Sequence, residues 1–323
     1  MPATITHAYF AKDVLEVLPE EIRSSINCQR MKMFGQSMDS LMFYNLISVF
    51  PGKKIRNFAH YFHGNQSQDY FISLIHYIKD NHLITDSDTC SYLAGMICHY
   101  VLDSTIHPFV FYKTGQFKKG DSTTYKYRNL HEFMETFLDN DMIRRREKNN
   151  PYRFPIGDFW YSKGKFSLGL KKAINYSFSS TFHIDHMSDI YFKSLKQMRF
   201  SLKFLRKDST GMKRIVYKTI DSFTPKWFFR CEAISYHYPL VDRHNFLNSN
   251  HSLWRNPTTY SMTSRESFIE LYLKAIKLAK VIICASFDYI RGKDIELEKI
   301  FLNHSYITGL NCLDKKELKY FEF

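Results

Sequence analysis

Between Ser87 and Val101, apolar side chains recur at Tyr92, Leu93, Met96, Ile97, Tyr100 and Val101, the spacing of a helix buried over much of its circumference. Set into that surface and continuing beyond it are His99, Asp103 and His107, each four residues from the next. Four residues advance a helix by one turn plus about 40°, so the three groups can share a face. An ionisable group on an apolar helix is costly to bury unless it is paired or binds a metal. His107 precedes Pro108, which disfavours helical geometry before it, so the helix is expected to end or kink there. Such a departure would turn His107 toward a different metal from its two neighbours.

The helical period dominates elsewhere too. Asp86 or Ser87 supplies an N-cap for the first helix. Thr263 and Glu266 fit a capping box ahead of Phe268, Leu271, Tyr272, Ala275, Leu278, Ala279 and Ile282. Further helices are expected over about 129–143, 4–18, 39–50, 66–81 and 187–206. No alternating pattern persists long enough to suggest a sheet, so the expected class is all-α. Charge and Asn-Asn-Pro punctuation over 144–170 mark a connection, although Tyr152, Phe154, Phe159 and Trp160 within it predict a packed loop. This divides the chain into a metal-binding helical core, 1–143, and a helical C-terminal part, 144–323, packed on it as one integrated domain. Residues 237–260 form a second irregular stretch, of a length that tends to be functional. Within it His251 and Trp254 belong either to core and cap or to a cover over the metal cleft, and spacing does not decide.

Composition narrows the function classes. Of 323 residues, 45 are Lys or Arg and 32 Asp or Glu, a formal charge of +13. Up to residue 140 there are 13 basic and 14 acidic residues, and after it 32 and 18. The excess is either a solvated lysine surface or one that attracts phosphate-bearing partners. A hydrophobic content of 44% excludes a disordered basic tail. Six cysteines without a C-x-x-C suit reduced thiols, and no basic-then-apolar leader or apolar run of about 20 residues is seen. The expectation is a cytoplasmic protein without a transmembrane segment.

Eight of the fourteen histidines precede residue 140. His131 and Glu135 are a second i,i+4 pair, able to grip one divalent ion from one helix face. His60 and His63 are three apart, His7 lies on the first expected helix, and Asp39 stands among apolar neighbours. Imidazole and carboxylate ligands without thiolates suit zinc in a hydrolytic, incompletely filled site. Two or more zinc ions a few ångströms apart would clamp a phosphoryl group. The chain has no adjacent His-Asp pair of the HD phosphohydrolase kind, and His183 and His186, flanking Asp185, read as surface.

These residues carry a resemblance. THAYFAKDVL with His7, Asp39, HYFHG with His63, ICHYVLDSTIHP and LHEFMETF together resemble the zinc-dependent phospholipase C family, relatives of the single-strand-specific zinc nucleases. The opening MPATITH, and HSLWRNP followed by SFIELYLKA, resemble in particular a bacterial branch of that family without a secretory signal. The resemblance implies a multi-helix bundle around a multinuclear site of two or three Zn2+ ions. Carried over, His63, His99 and Asp103 would hold the first zinc, and His107, His131 and Glu135 the second. His7, with Asp103 bridging, would hold a third, where the family also uses its N-terminal amine. Secreted members begin with Trp, whereas here removal of Met1 would expose Pro2 as the chelating terminus. Asp39 would be a ligand or the catalytic base.

The expected activity is therefore a zinc-dependent phosphoric-ester hydrolase, foremost a phospholipase C-like phosphodiesterase acting on a phospholipid head group or similar phosphoester. A zinc-dependent single-strand nuclease or nucleotidase and a metal-stabilised binding protein without turnover are the alternatives. Ser40 after Asp39, and Gly64 after His63, lack the aromatic rings that would carry choline selectivity or base stacking. Peripheral contact with an anionic membrane or nucleic acid would suit the basic C-terminal part, and the oligomeric state is not encoded in any of these features.

Overall fold

A computed structural model of the chain describes residues 3–46, 50–147, 151–225, 230–237, 242 and 244–322. α1 (Thr4–Val17), α2 (Glu20–Arg23) and α3 (Cys28–Phe34) lead into a 3₁₀ turn, Ser37–Phe43, that carries Asp39. α4 (Phe50–Phe62) and α5 (Ser67–Asp80) precede the long α6 (Ser87–Thr114), and α7 (Leu130–Glu147) follows a loop with another 3₁₀ turn, Ser122–Tyr127. The C-terminal part holds α8 (Ile156–Trp160), α9 (Leu168–Phe182), α10 (Met187–Leu205), α11 (Met212–Phe223), α12 (Phe268–Ile290) and α13 (Leu297–Ile300). The fold is all-α, and its strands among the described residues are two short antiparallel ones, β1 (Trp254–Asn256) and β2 (Thr259–Ser264).

α6 is the axle. Leu93, Ile97 and Val101 are fully buried, each contributing roughly 1.5–3 kcal/mol by removal of apolar surface from water. α1, α3, α7 and α12 all pack against α6, so the C-terminal helix α12 closes the core that holds the N-terminal polar residues. The cap of α6 is Asp86, whose carboxylate accepts from the Asp88 amide and the Thr89 hydroxyl.

Several expectations require correction. α6 does not end or kink out of helix at His107–Pro108 but runs on to Thr114. Pro108 has no N–H for the Ser104 carbonyl. The turn at Gly309, with φ of +64°, presses against that freed carbonyl, where any Cβ would collide. Pro108 therefore costs α6 one helical bond, and the helix continues on either side of it. The capping box of α12 is Ser267 with Glu270, four residues beyond the expected Thr263 with Glu266. Both tetrads fit the pattern, but Thr263 is taken up in β2, paired with Arg255. The sheet itself was not expected, because three- and six-residue strands show no sustained alternation. The helix expected over 39–50 is instead the 3₁₀ turn, with α4 starting at Phe50 and residues 47–49 outside the described set. Of the connection expected over 144–170, residues 144–147 belong to α7 and 148–150 lie outside the described set; the part that follows is packed, as expected, with the five-residue α8 and Trp160 fully buried.

Candidate metal centre

His7 is on α1, Asp39 on the 3₁₀ turn and His63 just beyond α4, while His99, Asp103 and His107 descend α6 and His131 and Glu135 occupy α7. The chain brings all eight together. The ligand atoms of His7, Asp39, His99 and Asp103 lie within 4.8 Å of one another, as do those of His107, His131 and Glu135. His63 Nε2 joins the first group, 3.0 Å from Asp39 Oδ1 and 3.9 Å from Asp103 Oδ2. His107 falls with the second group without any break in α6. Eight residues carry it about 12 Å along the helix and about 80° round from His99, which is enough to face other neighbours. Pro2 lies outside the described residues.

Backbone carbonyls fix the imidazoles. His99 Nδ1 is 2.9 Å from the Gly35 carbonyl, His63 Nδ1 2.5 Å from that of Ala59, and His107 Nδ1 2.8 Å from that of Tyr306. A carbonyl only accepts, so Nδ1 carries a proton, and in the neutral imidazole Nε2 is the atom that keeps its lone pair. The Nε2 of His99 then faces Asp103 Oδ2 at 3.1 Å and Asp39 Oδ2 at 3.4 Å. Lone pair against carboxylate repels unless a proton or a cation stands between them. His99 Nε2, Asp103 Oδ2 and His131 Nδ1 are all buried without a hydrogen-bond partner. Nitrogen and carboxylate donors, orphaned and converging, fit zinc.

Charge in the cluster is mutually supported. Burial opposes ionisation of Asp103, yet the imidazoles of His107, His99 and His7 hold its carboxyl well below the usual range. Asp39 is likewise depressed, burial being outweighed by His99 and His63. His7, 3.2 Å from Asp103 Oδ1, is raised because that carboxylate overcomes the penalty of burial. Burial dominates at His107 and lowers it.

A cleft of about 410 Å³ opens onto this wall, lined by Asp39, His63, His107, His131 and Glu135. That volume suits a small substrate. Met42, Phe111, Phe117, Tyr127 and Ile307 give it apolar lining, and His60, Gln116, Arg128, Asn129 and Glu132 further polar lining. A second cavity of about 30 Å³ lies behind, between His7, Asp103, His107, Glu135 and Phe268. His251 and Trp254 line neither. Trp254 is core, its ring edge-on to Phe109, and exposed His251 pairs with Glu270.

A profile of the zinc-dependent phospholipase C family matches residues 6–198. The chain belongs to the zinc-dependent phospholipase C family. No curated protein and no solved structure matches it. The match ends before α11, so the family pattern embraces every histidine and carboxylate of the cluster and none of the residues beyond α10.

Three supports of the centre escaped the sequence reading. Gly95, one turn before His99, lets α3 approach α6; a Cβ there would lie 2.8 Å from Phe34 Cβ and 2.9 Å from Gly35 N. This close approach delivers the Gly35 carbonyl to His99. Asp139 accepts from the amides of Ile5 and Thr6 and from the Thr6 hydroxyl, tethering the first turn of α1 and therefore His7. It continues the i,i+4 ladder of His131 and Glu135, a signal that could have revealed it. Tyr306 clamps both groups at once: its N–H donates to the His63 carbonyl and its carbonyl accepts from His107. No local pattern announces a backbone contact across some two hundred residues.

Proposed function

We propose that the chain is a zinc-dependent phosphodiesterase of phospholipase C type. The observation that carries this reading is the pair of neighbouring His/carboxylate groups, of which His107, His131 and Glu135 of one, with Asp39 and His63 of the other, line a partly apolar cleft. His63, His99 and Asp103 would hold one zinc, His107, His131 and Glu135 a second, and His7 with Asp103 and the Pro2 amine a third. Bound there, zinc supplies positive charge for the phosphoryl oxygens and acidifies water. The protein's part is orientation. Gly35, Ala59 and Tyr306 fix the tautomers of His99, His63 and His107. Asp39, ionised and facing the cleft, binds metal or takes a proton from the attacking water. The apolar lining of Phe111, Phe117 and Tyr127 holds the organic part of the ester and keeps bulk water from the reacting phosphate.

Metal analysis combined with turnover on bis-p-nitrophenyl phosphate, p-nitrophenylphosphorylcholine, a short-chain phospholipid and single-stranded DNA tests the reading. The expected result is bound zinc and preference for the phospholipid or its chromogenic analogue. His99→Ala should abolish both zinc binding and turnover. Full turnover in a metal-depleted His99→Ala protein defeats the mechanism, and preference for DNA makes the enzyme a nuclease. A protein that retains Met1 or carries an N-terminal tag should lose the third zinc.

A further inference from the structure

α11 is built inside out. At about 100° per residue, Met212, Ile215, Val216, Ile220 and Phe223 form one stripe, with Thr219 among them. An amphipathic helix ordinarily turns such a stripe to the core. Here all five are exposed, Ile215 by 68 % and Phe223 by 86 %, and no residue of the helix is buried. The polar face makes the contacts instead. Arg214 Nε donates to Glu232, the Tyr217 hydroxyl to the Leu205 carbonyl, and Asp221 accepts from the amides of Cys231 and Glu232. Lys213 Nζ donates to the carbonyls of Phe204 and Lys207. The Tyr217 and Lys213 bonds join α11 to the end of α10, where Phe200 and Phe204 stack side by side and are also exposed. The result is one apolar surface from two helices, of the kind that marks an interaction site.

Charge selects the occupant. Residues 196–230 contain ten Lys or Arg against two Asp. Lys196, Lys207, Lys218 and Arg230 are exposed, Lys203 is exposed but paired with Asp158, and Lys218 lies on one margin of the stripe. Two copies of this face meeting about a twofold axis would oppose like charges, which disfavours self-association. Nucleic acid would satisfy the lysines and leave the aliphatic stripe wet. An anionic bilayer satisfies both, because apolar side chains enter the headgroup boundary while lysines reach lipid phosphates. No helix among the described residues is long and apolar enough to cross a membrane, so contact of this kind is peripheral.

The position of the face gives it a use. Arg128, which lines the cleft, donates to the Pro225 carbonyl, two residues past Phe223, at 2.7 Å. The end of α11 therefore abuts the cleft. We propose that α11 and the end of α10 form a docking surface for anionic phospholipid bilayers, which brings lipid head groups to the metal cleft. The choice of a lipid surface rests on the phospholipase reading above.

Sedimentation of the full-length protein with phosphatidylcholine vesicles, with and without about 30 % phosphatidylserine, tests it. Binding is expected only to the anionic vesicles, weakened by salt, and lowered at least tenfold in Ile215→Ser/Phe223→Ser. Both side chains are exposed, so turnover on soluble bis-p-nitrophenyl phosphate should stay unchanged. Absence of vesicle binding, binding indifferent to the double substitution, or a dimer that the same substitution dissolves overturns the proposal. Sedimentation needs no turnover. A protein that binds vesicles but hydrolyses nothing defeats the phosphodiesterase reading alone. One that cleaves the soluble diester and ignores vesicles defeats the docking alone.

Discussion

The two halves of the metal centre use the same chemistry at different depths. His7, Asp39, His63, His99 and Asp103 are all buried, gripped between α1, the 3₁₀ turn and α6. His107 and His131 are half-buried at the cleft, where the Phe111 ring lies 4.9 Å from that of His131. Both groups contain an i,i+4 His/carboxylate pair, so spacing alone makes them equivalent. Burial separates them. A member lost from the deep group leaves charge that water cannot reach, whereas in the shallow group the two half-buried imidazoles stand nearer water and only Glu135 is buried. The deep group should therefore be a stability element as well as a metal site, and the shallow group chiefly a metal site.

Paired substitution is the sharpest way to break this contrast. Asp103→Asn should eliminate turnover and cost about 3–5 kcal/mol in denaturant unfolding, because three imidazoles lose their shared carboxylate. His131→Ala should also suppress turnover, yet change stability by only about 1 kcal/mol. Equal stability losses in the two variants would erase the distinction. A smaller effect is expected at Gly95, where alanine adds a methyl group into a contact already closed by Gly35 N. The substitution should cost about 1–3 kcal/mol and weaken zinc roughly 10–100-fold in the deep group only. Isothermal titration of the metal-free protein resolves the two groups, and uniform weakening of both would mean that α3 serves the whole centre.

The smallest effect concerns pH. His7 is raised above 6.5 in the metal-free protein, so its pairing with Asp103 stabilises the fold below that value and fades as pH climbs through the raised pKa. Zinc needs the neutral imidazole, so its affinity rises over the same window. The zinc-induced increase in Tm should therefore grow as pH rises past 6.5 and shrink below it. A Tm increment independent of pH there would remove His7 from the metal group.

Legibility in the sequence followed the range of the interaction. The 28 residues of α6 were readable from period and cap, because burial on nearly every side imposes apolar residues turn after turn. Thr263 and Ser267 show the opposite case: two competent capping tetrads stand in series, and strand pairing of the first leaves the second to start α12. In α11 the stripe is plain in the sequence, but the periodicity of Met212, Ile215, Val216 and Phe223 cannot say which way it faces. Its outward turn comes from Asp221, Tyr217 and Arg214 finding partners on the body.

By itself the sequence determined the all-α class and the residue types of the centre, because helical spacing and ligand chemistry are local and are written in each segment. Tertiary structure alone decided that the Gly35 and Tyr306 carbonyls hold those residues in place. It also decided which ligands are deep and which face the cleft. Each of these depends on backbone groups or on helix-to-helix distance, neither of which leaves a mark in the order of side chains.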